Sequence, residues 1–281
     1  MPLVSVLMTS YNREALIAES IESVLSSSFT DFELLIVDDA STDGTADIAK
    51  KYALSDTRVT VYVNKHNLGD YPNRNRAAEL ARGKYIKYVD SDDLIFSHGL
   101  EAMVESMEKF PQAGAGFSSL AERRGKALPI CLEPRDAYTC HFFGEGLFHG
   151  GPLTAILRRD AFFGLGKFDE GRMISDTDMW YRIALNYPVV VLPSGLVWQR
   201  RHANQELSDQ KKYIRFGERI KWKYLLDPKC KLTSFEIAKI RRTRLKRYAG
   251  FIMSGLKRGK FQQIRTYIDC YFFVKKIRIN K

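Results

Sequence analysis

Asp90-Ser91-Asp92-Asp93 puts three carboxylates into four residues, directly behind the β-rich run Tyr85-Ile86-Lys87-Tyr88-Val89. Carboxylates this close repel one another and resist desolvation. Ile86, Tyr88 and Val89 suit a buried strand, so the strand would deliver its acids to a cleft at the carboxyl edge of a sheet, where open α/β sheets bind ligands. Hard oxygen donors at such a point suit Mg2+ or Mn2+ shared with a phosphate. The same acids would also cap the next helix, since Asp is a favoured N-cap. Spacing alone leaves both readings open.

The elements that carry these acids repeat along the chain. Residues 3–9 form a short apolar strand that runs into Ser10-Tyr11-Asn12-Arg13. Residues 32–37 form a second strand ending in Asp38-Asp39, and residues 59–63 a third. Helical periodicity follows the first strand at Leu16, Ile17, Ile21, Val24 and Leu25, and the second at Ala46, Ala49, Tyr52 and Ala53. Residues 64–75 read as a polar loop, with a helix over 76–82 ended by Gly83. This alternation predicts a mainly parallel sheet with right-handed crossovers. Thr9-Ser10, Asp38-Asp39 and Asp90-Asp92 should then project at one edge. Further on, the pattern predicts strands over 113–118, 150–157, 189–192 and 196–198, and helices over 99–110, 158–163 and 175–185. Residues 119–150 have weak periodicity, and a long irregular stretch inside a domain is often functional. No Gly-x-Gly-x-x-Gly follows the first strand and no Gly-x-x-x-x-Gly-Lys occurs, which disfavours dinucleotide redox binding and excludes a P-loop.

Composition sets the remaining bounds. The 281 residues suffice for one large α/β domain and an appendage. Cys131, Cys140, Cys230 and Cys270 are widely spaced, without a Cys-x-x-Cys pair, and read as reduced thiols of a cytosolic protein. The apolar residues 2–8 read as a strand rather than a signal peptide. No apolar run is long enough to span a membrane. The net charge of +11 hides an asymmetry: residues 211–281 carry 22 Lys and Arg against 4 acids, whereas residues 1–210 lean acidic. In the tail, Tyr213, Phe216, Ile220 and Tyr224 keep helical spacing among basic residues, and aromatics recur from Phe251 to Phe273. The reading is helical hairpins with basic faces. Such faces are solvated, bind nucleic acid, or lie on an anionic membrane.

The blocks together resemble glycosyltransferase family 2. Pro2-Leu3-Val4-Ser5-Val6-Leu7-Met8-Thr9-Ser10-Tyr11-Asn12 is similar to its opening strand, and Phe32-Glu33-Leu34-Leu35-Ile36-Val37-Asp38-Asp39-Ala40-Ser41 continues the likeness. Asn67-Leu68-Gly69, Asn73-Arg74-Asn75 and Ala81-Arg82-Gly83-Lys84-Tyr85-Ile86 fit as well. Asp90-Ser91-Asp92-Asp93 stands where the family has its Asp-x-Asp motif. Gly166-Lys167-Phe168-Asp169-Glu170 and Asp176-Thr177-Asp178-Met179-Trp180 are similar to later blocks. The resemblance covers residues 2–210 and not the tail.

It implies a GT-A nucleotide-diphospho-sugar transferase fold, α/β with a mainly parallel sheet flanked by helices. Residues 1–210 would be the catalytic domain, with 1–110 its nucleotide-binding half and 111–210 its acceptor-binding half. Residues 211–281 would be a basic helical C-terminal extension. The implied reaction is inverting transfer from a nucleotide-sugar, a UDP-sugar, to a glycan or lipid-linked acceptor in cell-surface polysaccharide or glycolipid synthesis. Thr9 and Tyr11 would line the nucleoside pocket, Asp39 would accept a hydrogen bond from the base, and Arg74 and Ser91 would lie against the nucleotide. Asp90 would touch the ribose or metal, Asp92 would ligate Mn2+ or Mg2+, and His202 would contact the diphosphate or metal. Asp176 stands at the position of the catalytic base. Its helix start both favours the ionised form and lowers its basicity. The family's Glu-Asp pair there is Ser175-Asp176, so one acid of two remains.

Taken singly, the same residues have plainer readings. Asp39 would serve in an Asx-turn, Asp176 as an N-cap, Arg74 as a solvated helix residue and His202 as a structural histidine. Trp180 reads as core. The acceptor pocket should draw on residues 119–154 and 165–178. The nucleotide-sugar body makes an anionic membrane the tail's expected partner, rather than nucleic acid, with the protein peripheral on the inner face. The alternatives are a nucleotidyltransferase, which would carry a Gly-rich basic loop where Ser10-Tyr11-Asn12-Arg13 stands, and a non-catalytic membrane scaffold, which Ser175 leaves open.

Overall fold

The computed structural model describes residues 1–118, 127–144, 146–171, 174–201, 213–259 and 261–279. The elements are β1 Val4–Ser10, α1 Ile17–Leu25, β2 Phe32–Asp38, α2 Thr45–Ser55, β3 Val59–Val63, α3 Asp70–Leu80 and β4 Tyr85–Tyr88. They continue as β5 Leu94–Ile95, α4 Gly99–Glu108, β6 Ala115–Ser118, β7 Ile130–Leu132, α5 Pro134–Phe143, β8 Ala155–Arg158, α6 Arg159–Gly164, α7 Ser175–Asn186, β9 Val189–Leu192 and β10 Val197–Trp198. The tail is helical: α8 Ile214–Leu225, α9 Ser234–Lys257 and α10 Phe261–Lys276.

One eight-stranded sheet runs in the order β3-β2-β1-β4-β8-β6-β9-β7, and β5 pairs with β10 beside it. The sheet is mainly parallel; β8 and β7 are reversed against their neighbours. Both faces are covered, which explains the near-continuous apolar strands. Val4, Val6 and Met8 of β1 face one core and Leu7 the other, the period-2 alternation of a strand.

Three features depart from the sequence reading. Helix α3 starts at Asp70, inside the stretch expected to be a polar loop. Gly69, at φ 90°, turns the chain into it. Pro72 falls in the first turn, where a missing N–H is tolerated. The inward face of α3 is polar and fully matched: Asn73 donates to Val37 O at 3.0 Å, and Asn75 exchanges two hydrogen bonds with the Phe168 backbone at 2.9 and 3.1 Å. A helix buried through amides carries no apolar period, so hydropathy misses it. The irregular stretch similarly holds β7 and α5. Gly83 does not cap a helix through a left-handed backbone, since α3 ends at Leu80. It is needed because the chain passes hard against β1.

The tail packs on the body. A buried carboxylate, Glu218 of α8, accepts from Trp222 Nε1 at 2.9 Å and from Tyr248 OH of α9 at 2.7 Å, and pairs with Lys221 at 3.2 Å and with Arg244. Burial would favour protonation, but the two cations Lys221 and Arg244 and the hydrogen bonds outweigh it, and its pKa is held at about 2. Asp178 of α7 joins α8 through Tyr224 OH at 2.7 Å.

A Cβ on Gly83 would lie 2.5 Å from Ser5 N and 2.7 Å from Val4 C, both backbone. Gly83→Ala should therefore cost about 1–3 kcal/mol of stability, the usual effect of overpacking. Urea unfolding measures it, and an unchanged midpoint would disprove the close approach.

Candidate active site

The carboxyl ends of β1, β2 and β4 lie side by side, as the pairings Ser10 with Asp38 and Leu7 with Tyr88 require. An open cleft of about 1510 Å³ crosses them, and Thr9, Tyr11, Asp39, Arg74, Asp90, Ser91, Asp92 and Asp176 all line it. His202 lies outside the described residues. Of the stretches expected to form the acceptor pocket, His141, residues 148–154 and Ile174, Asp176 and Thr177 reach the cleft, whereas residues 165–171 do not line it.

Asp39 follows β2 and is buried. Its carboxylate accepts from Asn64 Nδ2 at 2.6 Å, Leu68 N at 2.8 Å and Gly69 N at 2.9 Å. An ionised carboxylate offers about four acceptor sites, so these bonds leave room for one further donor. Ala40 beside it is held at φ 59°, a left-handed conformation that alanine adopts only when its surroundings impose it. Tyr11 is 46% exposed at the mouth.

Arg74 is not solvated but buried on α3. Nη1 and Nη2 clamp Asp90 at 2.6 and 3.0 Å, and Nε reaches Asp70 at 2.7 Å. Burial opposes the charge of its guanidinium, but Asp70 and Asp90 outweigh it and keep the group protonated. Both oxygens of Asp90 are thereby held in a bidentate pair.

Asp92 turns the other way. Its Oδ2 meets Arg13 Nε at 3.0 Å. Asp93 is buried and accepts from Arg200 N at 2.8 Å. The chain then enters β5, so the acids cap no helix. Burial, then the charge of Asp90, raises Asp93 to about 7. A divalent cation shared with a diphosphate needs only one or two protein carboxylates, with phosphate and water oxygens completing its shell. Asp92 at the open cleft fits that need. Among the described residues no three acids, histidines or cysteines converge into a closed cage.

Asp176 sits in the first turn of α7 on the far wall. Its Oδ1 accepts from Thr177 N at 2.6 Å, and its own N–H donates to Tyr71 OH at 3.3 Å. That is not the N2 or N3 bond of an N-cap. A Cβ on Gly151 would lie 3.9 Å from Oδ2, so the Gly151 backbone borders that oxygen. Trp180 is core, as expected, and its indole N–H also fixes Gly150 O at 2.9 Å. Burial raises the pKa of Asp176, against the lowering pull of the Thr177 amide and Arg74. The net direction is thus opposite to the expected loss of basicity, because desolvation outweighs the hydrogen bond from the first-turn amide.

The sequence reading missed Asp70, Tyr71, Arg13, Arg200 and Lys87. Lys87 was a polar residue within an apolar strand, which was the available signal. It is fully buried and donates to Leu153 O and, at 3.3 Å, to Ala155 O, pinning the loop that carries Gly150 and Gly151 against β4.

The profile described as "Glycosyl transferase family 2" matches residues 5–162. The chain belongs to glycosyltransferase family 2. Among its relatives, "Putative glycosyltransferase EpsE" of Bacillus subtilis is 37% identical over 191 residues, 64% of this chain and 66% of that protein. "Putative teichuronic acid biosynthesis glycosyltransferase TuaG", also of Bacillus subtilis, is 43% identical over 123 residues, 43% of this chain and 49% of its own length. "UDP-Glc:alpha-D-GlcNAc-diphosphoundecaprenol beta-1,3-glucosyltransferase WfgD" of Escherichia coli is 39% identical over 107 residues, 38% of this chain and 42% of that protein. The chain thus spans less than two thirds of each of these relatives. Among solved structures, S. aureus TarS 1-349 in complex with UDP-GlcNAc superposes with a TM-score of 0.67 at 21% identity, over 84% of this chain and 70% of that one. The mannosyltransferase PcManGT from Pyrobaculum calidifontis, in complex with GDP-Man and Mn2+, gives 0.63 at 18% identity, over 97% and 85%. Identity this low speaks for the fold, which is GT-A.

Burial lowers Lys87 from 10.5 to about 7, with Asp90 and Asp93 pulling the other way. Above pH 7 the unfolded chain therefore binds more protons at this position than the folded one, and stability rises with pH until the unfolded lysine also loses its proton. Between pH 7 and about 9.5 the wild type should gain roughly 2–3 kcal/mol relative to Lys87→Met. Denaturant titrations at both pH values read the difference, and parallel pH profiles would show that Lys87 is not buried.

Proposed function

We propose that this chain is an inverting, metal-dependent glycosyltransferase that moves a sugar from a nucleotide-sugar, a UDP-sugar, to a glycan or lipid-linked acceptor of cell-surface polysaccharide or glycolipid synthesis. The observation that carries this reading is the shared cleft: strand-end acids line one wall and a half-buried, desolvated Asp176 the other. The names of TuaG and WfgD support the acceptor class, and the UDP-GlcNAc and GDP-Man complexes of TarS and PcManGT support the donor class.

On this account Thr9, Tyr11, Asp39 and Ser91 receive the nucleoside. Asp90, squared by Arg74, faces the ribose. Asp92, with His202, would hold Mn2+ or Mg2+, which when bound neutralises the diphosphate as it leaves. Asp176 takes the proton of the acceptor hydroxyl while that oxygen attacks C1. The C1–O bond to the diphosphate breaks with its electron pair, and the configuration inverts. A raised pKa suits a general base, because proton affinity improves transfer as long as the group is ionised at working pH. One carboxylate is enough for that step, so Ser175 costs no required group.

We take residues 1–210 as the catalytic domain, split near residue 110 into donor and acceptor halves, and residues 211–281 as an extension that adds to the acceptor side. Among the described residues no helix is long and apolar enough to cross a membrane. Phe216, Phe235, Met253, Leu256 and Phe272 are exposed among the basic residues of the extension, which supports peripheral attachment to an anionic inner face.

Asp176→Asn should lower transfer by about 10²-fold or more, the scale of a lost general base, with UDP affinity retained. The acid limb of the wild-type pH–rate profile should lie above the ordinary carboxylate range, because burial raises this pKa. Transfer kept near the wild-type rate by Asp176→Asn would overturn the assignment.

A further inference from the structure

The cleft does not end at Asp176. It continues under the C-terminal helices, where Lys221, Arg244, Arg247, Tyr248 and Phe251 line it together with His149. The described lining residues of those helices include three cations and one acid, Glu218. That acid is already committed to Trp222, Tyr248, Lys221 and Arg244. Two positive charges remain in excess. Arg247 is exposed, and its guanidinium lies 5.3 Å from the centre of the Phe251 ring. No acid pairs with it among the described residues.

These cations face the catalytic body. Burial, followed by the charges of Lys221, Arg247 and Arg244, lowers the pKa of His149, which places all three within electrostatic reach of its ring. His141 beneath it accepts from Leu147 N and Phe148 N at 3.1 Å through Nδ1, so this buried ring is neutral with its proton on Nε2. From His149 the backbone runs through Gly150 to Gly151, which faces Asp176 Oδ2. Beyond the cations, Phe251 packs on Tyr267 at 5.0 Å, and both rings line the same end of the cleft.

We propose that Lys221 and Arg247 bind the phosphate of a lipid-linked acceptor at the end of the cleft under the C-terminal helices, with the lipid chain leaving past Phe251 and Tyr267. The inference rests on the reading of the cleft as a nucleotide-sugar transferase site, and it assigns the acceptor's anionic end to the extension. A donor diphosphate would instead sit at the strand edge near Asp92. A free phosphate would make no use of Phe251 and Tyr267.

The test uses the full chain with the donor site saturated by UDP and Mn2+. Farnesyl diphosphate in detergent micelles, farnesol in the same micelles and inorganic pyrophosphate are each titrated in. Farnesyl diphosphate should bind, farnesol should not, and pyrophosphate should bind more weakly than the prenyl ester. Arg247→Gln should weaken farnesyl diphosphate binding about tenfold or more, the loss of one charge-assisted hydrogen bond, and Arg247→Lys should recover part of it. Lys221→Gln should do the same. Lys221 touches the buried Glu218, so the exposed Arg247 provides the variant that leaves the fold intact. UDP affinity should not change in any of them. Equal binding of pyrophosphate and the prenyl ester would overturn the lipid assignment. A parallel fall in UDP affinity would assign the cations to the donor. Unchanged binding in Arg247→Gln would overturn the site. Failure of the wild type to bind UDP at all would count against the transferase reading instead.

Discussion

A buried guanidinium held between two carboxylates joins the helix layer to the sheet edge. Arg74 of α3 spans Asp70 and Asp90, and neither acid nor base is stable there without the other. Breaking such a set by removing one partner commonly costs about 3–5 kcal/mol, because a charge is left desolvated. The arrangement fixes the first turn of α3, which carries Tyr71 to the wall bearing Asp176. It also fixes Asp90, two residues past the end of β4, and with it the turn that carries Asp92 into the cleft. Geometry at both walls therefore depends on one ion cluster.

The rest of the molecule treats charge in the same way. Lys87 spends its protons on carbonyls of the loop before β8. Glu218 gathers the tail around one carboxylate. Asp93 is buried against the Arg200 amide. Each is a polar group inside a core that would reject it without a full set of partners. Burial also separates the titratable groups by function. It raises Asp176 towards the range of a useful base, while Asp90 and Asp92 remain at the open edge, paired with arginines that an anionic ligand would also attract.

Much of the fold was legible in the sequence because both faces of the sheet are apolar and the strands announce themselves. The strand-end carboxylates were legible for the same reason: three acids after Val89 cannot be core. Where pattern failed, the cause was polar burial. α3 hides amides and an arginine, so it read as a loop. Glu218, Lys221 and Arg247 looked like members of a uniformly basic tail, and only folding turns some of them towards the cleft. Likewise, the sequence places Asp176 at a helix start and predicts a weakened base; its desolvation, which opposes that expectation, is a property of packing alone.

The central claim is that Asp92 shares a divalent cation with the diphosphate of the donor. Calorimetric titration of UDP into wild type and Asp92→Asn, with and without Mn2+, tests it most directly. The account predicts that Mn2+ strengthens UDP binding to the wild type and that Asp92→Asn loses this strengthening while keeping its metal-free affinity. An Asp92→Asn protein that gains as much from Mn2+ as the wild type would contradict it.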